Sequence, residues 1–454
     1  MRIFRHYLSG VSVAWLAGDT AIVLLVYGLA ERWETGPRDV APVPAIWLVV
    51  VTAFLFHLGD LYSVRLPMGR REVIARILIC QMGSAVLIAA AGFVVPILQL
   101  DRATYFVVIG GGGLALVAWR LAWLGPWSSF RAGRAILVLG AGPIARSIAD
   151  LEGFSARPFR IAGFIDDDPT AASSLPEDRR LLGGLDQLQH IVDETRPDLI
   201  VVGQDDRRGA FPAGALLDCR LRGISVEDWP AFYEKVTGKI LVSDLRPSWL
   251  IFSDGFVKTR RAIIIKRAID VMLSLAGVLV TSPLIAVTAL AVKLESPGPV
   301  LFRQTRLGQY GRPFTIYKFR SMRADAEKHT GAVWAQKDDP RVTRIGRFLR
   351  RTRLDELPQL YNVLIGEMSF IGPRPERPEF IEELEGRVPL YRARLSVKPG
   401  VTGWAQVRYS YGASVEDTVE KLQYDLYYIK NLSLFLDILI LISTIQVVLF
   451  GRGR

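Results

Sequence analysis

The sequence predicts a membrane protein in three parts. Four amino-terminal transmembrane helices come first, then a Rossmann-like α/β module, then an α/β-containing domain led by a broken apolar helix. Three observations carry this. Half of the chain is apolar, yet it holds 56 Lys+Arg against 45 Asp+Glu, as expected if some segments lie in lipid and the rest is wet and basic. The apolar residues gather into long runs. Between those runs, "RAILVLGAG" reads as a buried strand entering a glycine turn.

At 454 residues the chain can hold two or three folding units. Its net charge of +11 suggests an anionic partner, lipid head groups or nucleotides. No nucleic-acid-binding signature is present, so nucleic acid is not an expected partner. Cys80 and Cys219 are far apart in sequence and make neither a disulfide framework nor a zinc spacing. The amino terminus, "MRIFRH", enters its first apolar run without the end of a cleavable signal.

The four runs cover roughly 11–30, 45–61, 75–98 and 104–124. About 20 helical residues cross a bilayer, and the second run is the shortest. "GGGG" at 110–113 suits close helix packing. Arg2 and Arg5 precede the first run. Arg65, Arg70, Arg71 and Arg76 lie between the second and third, and Arg131 and Arg134 follow the fourth. The remaining loops show no basic excess, so the amino terminus and everything after 125 are expected in the cytoplasm.

Residues 131–250 alternate strand-like and helix-like stretches, the pattern of a parallel sheet. The turn from Gly140 to Ala145 is close to the dinucleotide fingerprint, with Gly140 and Gly142 at its glycine positions. Asp166 ends the next strand, where a ribose-binding acid would sit. A cofactor role is the weaker half of this reading. Pro143 lies in the turn, and no Tyr-x-x-x-Lys pair follows to serve a dehydratase or reductase.

A basic hinge then leads into an apolar run, 267–292, with Ser282-Pro283 near its middle. Proline removes a backbone donor, and serine can satisfy the freed carbonyl. Both flanks are basic. That fits a helix that enters the membrane, bends and returns; a kinked crossing helix fits the length equally well.

The domain 251–454 carries the chemistry. "RTRLDELPQL" places Asp355 and Glu356 side by side among arginines. On a helix such neighbours point about 100° apart and can do different jobs. Arg350, Arg351 and Arg353 compensate them, and a divalent metal would do so too. Mg²⁺ favours a carboxylate or two plus phosphate oxygens. A carboxylate can also attack phosphorus. In isolation the cluster reads first as a helix surface with Arg351 and Asp355 paired at i,i+4, and the surrounding motifs shift that reading. Lys318 and Arg320 alternate in "YKFRSM", which puts both cations on one strand face. Arg374 stands between two prolines in "GPRPERP", in a stiff loop suited to phosphate. The last apolar run, 432–450, holds one charge, Asp437, and is long enough to span or to lie on a bilayer.

From about 264 to 452 the chain resembles the bacterial polyprenyl-phosphate hexose-1-phosphate transferases, the monotopic phosphoglycosyl transferases. "GPVLFRQTRLGQYGRPFTIYKFRSM", "DPRVTRIGRFLRRTRLDELPQLYNVLIGEMSFIGPRPERPEF" and "KPGVTGWAQV" carry the resemblance in order and spacing. With the first two parts, the whole chain is similar to that family's large form. The resemblance implies a UDP-sugar donor bound with Mg²⁺. Asp355 would attack the sugar-side phosphate, expel UMP and hold a covalent phosphosugar. Undecaprenyl phosphate would then take it up. Glu356 would be the second member of the dyad, with Asp355 and Glu356 near the metal. Lys318, Arg320, Arg350 and Arg374 would serve the phosphates.

The resemblance also makes Ser282-Pro283 the break of a re-entrant helix and the last run an interfacial helix. It implies the bacterial inner membrane, catalytic domain inside, and a homodimer. Where many members continue "GWAQV" with Asn-Gly, this chain has "RYSYGAS", which resembles the exopolysaccharide branch and leaves the sugar open. Two other readings are a membrane-anchored nucleotide-sugar dehydratase or reductase, and a non-catalytic scaffold for polymer assembly.

Overall fold

The computed structural model describes residues 10–35, 41–59, 61–62, 70–124, 134–154, 159–176, 179–203, 211–242, 255–256, 258–323, 326, 339–388, 390–409 and 414–450, with 2–3 and 6–7 at the start. Arg5, Arg65 and Arg131 of the charge argument lie outside the described residues, as do 410–413 and both expected boundaries, 130/131 and 250/251.

Four described helices are long and apolar enough to cross a membrane: Val13–Glu34, Val73–Val94, Arg102–Trp123 and Arg260–Glu295. Three of them belong to the amino-terminal part. The second apolar run forms the shorter helix Pro42–Leu58, 17 residues. At 1.5 Å per residue it measures about 25 Å, a little under the roughly 30 Å hydrocarbon core. The glycine-rich stretch loosens its helix into a π turn at Val107–Gly111. Inside this bundle Arg120 reaches Asp19 at 2.6 Å, and both are buried. A charge in such surroundings needs a partner.

Strands Arg134–Leu139, Phe159–Ile165, Leu181–Gly183, Leu199–Val202 and Ser225–Asp228 make one sheet. All its pairings are parallel, and the third, second, first, fourth and fifth strands lie in that order. This is the order of the first five strands of the doubly wound fold. Strands Arg134–Leu139 and Leu199–Val202 are the buried centre, which explains their unbroken Ile, Leu and Val.

The chain divides into two compact units after Thr237. The second starts at Gly238. Ile240 and Val242 belong to its core, and Trp404 Nε1 donates to Gly238 O at 2.8 Å.

In this second unit Arg260–Glu295 is one helix with Pro283 inside it. Proline at 283 leaves the carbonyl of residue 279 without its helical donor. Ser282 Oγ donates to Leu279 O at 2.9 Å and fills that role. Each end of the helix is fastened to the α/β core. Near the start, Arg267 donates to Val363 O at 2.6 Å and Leu364 O at 2.7 Å, and Asp270 accepts from Phe370 N at 3.0 Å. Near the end, Glu295 accepts from Ile345 N at 2.9 Å. Between these anchors Leu279 and Val280 are each 77% exposed.

The antiparallel strands Leu301–Leu307 and Pro313–Phe319 follow. Helix Val415–Lys430 is started by a capping box in which Ser414 and Asp417 satisfy each other's backbone amides. The last helix, Leu434–Phe450, has Leu436 and Ile440 wholly buried in the core. Its single charge is not loose in an apolar face: Asp437 accepts from Lys266 Nζ at 2.8 Å and from Tyr428 OH at 2.9 Å.

Candidate active site

Helix Arg344–Thr352 begins where Thr343 Oγ1 accepts from Gly346 N at 2.9 Å. Gly346 is needed there, because a Cβ would come within 2.0 Å of Ser321 O. The helix stops at Arg353, which is left-handed at φ 60°. Such a conformation is costly for a residue with a side chain and ends the helix sharply. Leu354–Glu356 then forms a single 3-10 turn, and helix Gln359–Ile365 follows.

This corrects the helical placement of the acid pair. The acid pair sits on a tight turn between two helices, not within one, so an Arg351–Asp355 helical pair does not arise. The break comes before the pair, at Arg353. Pro358, at φ −62°, is the N-cap of the helix that follows. Neighbours on a 3-10 turn diverge by about 120°, so the two carboxylates still face different surroundings.

Glu356 faces cations. Its Oε1 accepts from Lys318 Nζ at 2.9 Å and lies 3.5 Å from an Arg374 guanidinium nitrogen. Burial pushes the Glu356 carboxyl up, but Lys318 and then Arg374 outweigh it and hold it at about 2. Lys318 is itself lowered, by burial first and against the pull of Glu356.

Asp355 differs. It is 7% exposed, and its Oδ1 is buried with no hydrogen-bond partner among the described residues. Burial and then the Glu356 anion raise its carboxyl, while Lys318, Arg350 and Arg353 oppose them. Arg350 is steadied by Nε donating to Ser321 Oγ at 2.9 Å.

Lys318 reaches this point because strand Pro313–Phe319 is locked to helix Gln359–Ile365. Asn362, fully buried, donates to Thr315 O at 2.7 Å and accepts from Tyr317 N at 3.2 Å. The one local signal for that residue in "LYNVL" is an amide inside an apolar helix.

Arg320 does not join the site. The strand ends at Phe319, so the alternation that would place it beside Lys318 stops one residue short. Its buried guanidinium instead donates to Pro297 O at 3.0 Å, Ser296 O at 2.7 Å and Val292 O at 3.3 Å, closing the end of the long helix.

In the α/β module, Gly140 supplies the positive φ of the turn, at 105°. Asp166 Oδ2 accepts from Ala141 N at 2.7 Å and Oδ1 from Asp168 N at 3.0 Å. Both oxygens that a ribose would use already hold backbone amides. Gly142 has open space where a Cβ would stand.

An acid pair with one neutralised member and one open member, on a domain fastened to a long apolar helix, suits work on phosphates at a membrane. The family model described as bacterial sugar transferase matches residues 261–451. A UDP-N-acetylgalactosamine-undecaprenyl-phosphate N-acetylgalactosaminephosphotransferase of Aeromonas hydrophila is 43% identical over 266 residues, 57% of this chain and 62% of the relative. A UDP-glucose:undecaprenyl-phosphate glucose-1-phosphate transferase of Escherichia coli is 47% identical over 186 residues, 40% of this chain and 39% of the relative. The chain thus spans less than two thirds of either. An exopolysaccharide production protein of Rhizobium leguminosarum is 44% identical over 191 residues, 40% of this chain and 94% of the relative. The chain belongs to the bacterial sugar transferase family.

Proposed function

We propose that this protein transfers a sugar-1-phosphate from a UDP-sugar to undecaprenyl phosphate, releasing UMP, as the first membrane step of exopolysaccharide synthesis. The observation that carries the reading is the asymmetry of the acid pair. Glu356 is tied to Lys318 and Arg374, and Asp355 beside it keeps a buried oxygen without a hydrogen-bond partner among the described residues. The relatives' names supply the substrate classes.

In the first step an Asp355 oxygen bonds to the sugar-side phosphorus. The bond from that phosphorus to the bridging oxygen breaks, and UMP leaves with the electron pair. In the second step a phosphate oxygen of undecaprenyl phosphate attacks the same phosphorus and Asp355 leaves. Lys318, Arg350 and Arg374 counter the charge that builds on the phosphate oxygens.

Mg²⁺ fits this residue set in a limited way. It accepts one or two carboxylates with phosphate oxygens completing its shell. Asp355 Oδ1 is the open carboxylate oxygen, and Glu356 stands beside it with Oε1 already engaged. No group of three or more metal-binding side chains occurs among the described residues, so substrate oxygens would have to complete the shell. Bound magnesium would neutralise diphosphate charge.

For the membrane, we read Arg260–Glu295 as re-entrant. Its two ends are fastened to one α/β core, and its exposed apolar middle lies at Ser282-Pro283. The last helix lies on the same face, since Leu436 and Ile440 are buried in that core. The parallel module is Rossmann-like, and these domains face the cytoplasm at a bacterial inner membrane.

The test uses wild type and Asp355→Ala with Mg²⁺, undecaprenyl phosphate and a panel of UDP-sugars. UMP should appear with wild type only. Equal release by the variant would remove Asp355 as nucleophile. No release by wild type with any sugar would remove the transferase reading.

A further inference from the structure

The loop 373–376 carries Arg374, and it is fastened unusually completely. Pro373 and Pro375 leave it few amides to donate. Its carbonyls, however, are all taken. Pro373 O accepts from Gly400 N at 2.9 Å, and Glu376 O accepts from Leu307 N at 3.1 Å. Pro375 O accepts from an Arg306 guanidinium nitrogen at 3.1 Å. Arg374 O accepts from an Arg394 guanidinium nitrogen at 3.0 Å. Of these four donors only Arg394 grips the residue whose side chain meets Glu356.

Arg394 is itself buried, at 6% exposure, and among the described residues its polar partners are Tyr391, the Arg374 carbonyl, Asp425 and Glu376, not the acid pair. Asp425, at 2% exposure, holds it with 2.9 Å between Oδ2 and the guanidinium. Tyr391 OH accepts from its other terminal nitrogen, and Glu376 Oε1 lies 3.9 Å away. A buried charge is expensive to keep unless its partners use it fully. Here the cation spans Asp425 on helix Val415–Lys430 and the backbone of the Arg374 loop.

We propose that Arg394, oriented by Asp425, is a positioning residue for the transferase reaction. Through the Arg374 carbonyl it fixes where the Arg374 guanidinium meets Glu356 and the substrate phosphate. This rests on the transferase reading and adds to it a residue that touches neither substrate nor metal. A guanidinium suits the place because its two terminal nitrogens diverge in a fixed fork, one to Tyr391 OH and the other to the Arg374 carbonyl with Asp425 beside it.

The test is a double-mutant cycle on UMP release, using full-length protein, Mg²⁺, undecaprenyl phosphate and the best UDP-sugar. Arg394→Met and Arg374→Met are each expected to lower kcat/KM roughly 10- to 100-fold, the loss of a charge-assisted contact. The double variant should be no worse than Arg374→Met within about 3-fold. If Arg394 only stabilised the fold, its factor would be the same in both backgrounds, and that result overturns the proposal. Should Arg394→Met fail to fold by its thermal midpoint, Asp425→Asn keeps the shape and repeats the cycle. Its smaller loss should likewise vanish beside Arg374→Met, and persistence there overturns the proposal. If wild type releases no UMP with any sugar, the transferase reading falls and takes this role with it. If wild type turns over and the factors multiply, only the positioning role falls.

Discussion

Lys318 Nζ donates to Glu356 Oε1 at 2.9 Å, and the carboxylate it engages is the immediate neighbour of the candidate nucleophile. The pair is well shielded, with side chains 18% and 11% exposed. Because Lys318 and Arg374 engage Glu356, the two acids of one turn are pushed in opposite directions. Glu356 stays ionised down to about 2, and Asp355 is raised by burial and by that neighbouring anion.

The pH dependence follows from this difference. Asp355 must be an anion to attack phosphorus. The rate of UMP release should therefore rise with pH through the raised Asp355 value, placing the acid limb above the ordinary aspartate range near ~4. Glu356 is already charged throughout and leaves no second limb in that range. Pre-steady-state UMP release across pH checks this, and an acid limb below ~4 would contradict it.

Replacing Lys318 by Met removes a cation that opposes the rise at Asp355. The acid limb should move to higher pH, and the rate at neutral pH should fall roughly 10- to 100-fold. The same change leaves a buried carboxylate short of its partner, so the thermal midpoint should drop as well. In wild type the depressed Glu356 value contributes stability above the unfolded glutamate value near ~4.3. That contribution is lost as pH falls through about 2. Lys318→Met should shrink that acid dependence in urea titrations run at several pH values.

Arg320 should behave unlike the site cations. Arg320→Met strips three backbone carbonyls at the end of the long helix of their donor. We expect a loss of about 3 kcal/mol in stability, with KM for the UDP-sugar unchanged in the folded fraction. Arg374→Met should show the reverse, a fall in kcat/KM with a smaller change in stability. Denaturation and kinetics on the two variants together decide it.

The membrane reading predicts one-sided labelling. Cysteine placed at Arg261 and at Leu294, both exposed and beyond the apolar middle of the helix, should react with an impermeant maleimide from the same side of oriented vesicles. Reaction from opposite sides would mean that the helix crosses.

Local pattern revealed much of this molecule, and its failures are specific. The central strands were legible because a strand buried on both faces must be continuously apolar, as Ile136, Leu137, Val138 and Leu139 are. Paired acids amid cations in punctuated loops pointed to Asp355, Glu356, Lys318 and Arg374, and the structure brings Glu356 together with Lys318 and Arg374. Arg320 was misread because strand alternation holds only while the strand lasts, and it ends at Phe319. The left-handed residue that ends the helix, Arg353, was not legible because arginine carries no signature of that backbone. Arg394 and Asn362 were missed because their roles depend on partners far along the chain, Arg374 and Asp425 for one and Thr315 and Tyr317 for the other.

The central claim is that Asp355 carries the sugar phosphate in a covalent bond. The direct measurement is a single-turnover incubation with Mg²⁺ and a UDP-sugar labelled in the sugar-side phosphate, without undecaprenyl phosphate. UMP release close to one equivalent is expected, with label on the peptide holding Asp355 and its discharge when undecaprenyl phosphate is added. An Asp355→Asn protein should take up none. Full turnover with the lipid present, but no protein-bound label before it is added, would mean that Asp355 forms no covalent phosphosugar.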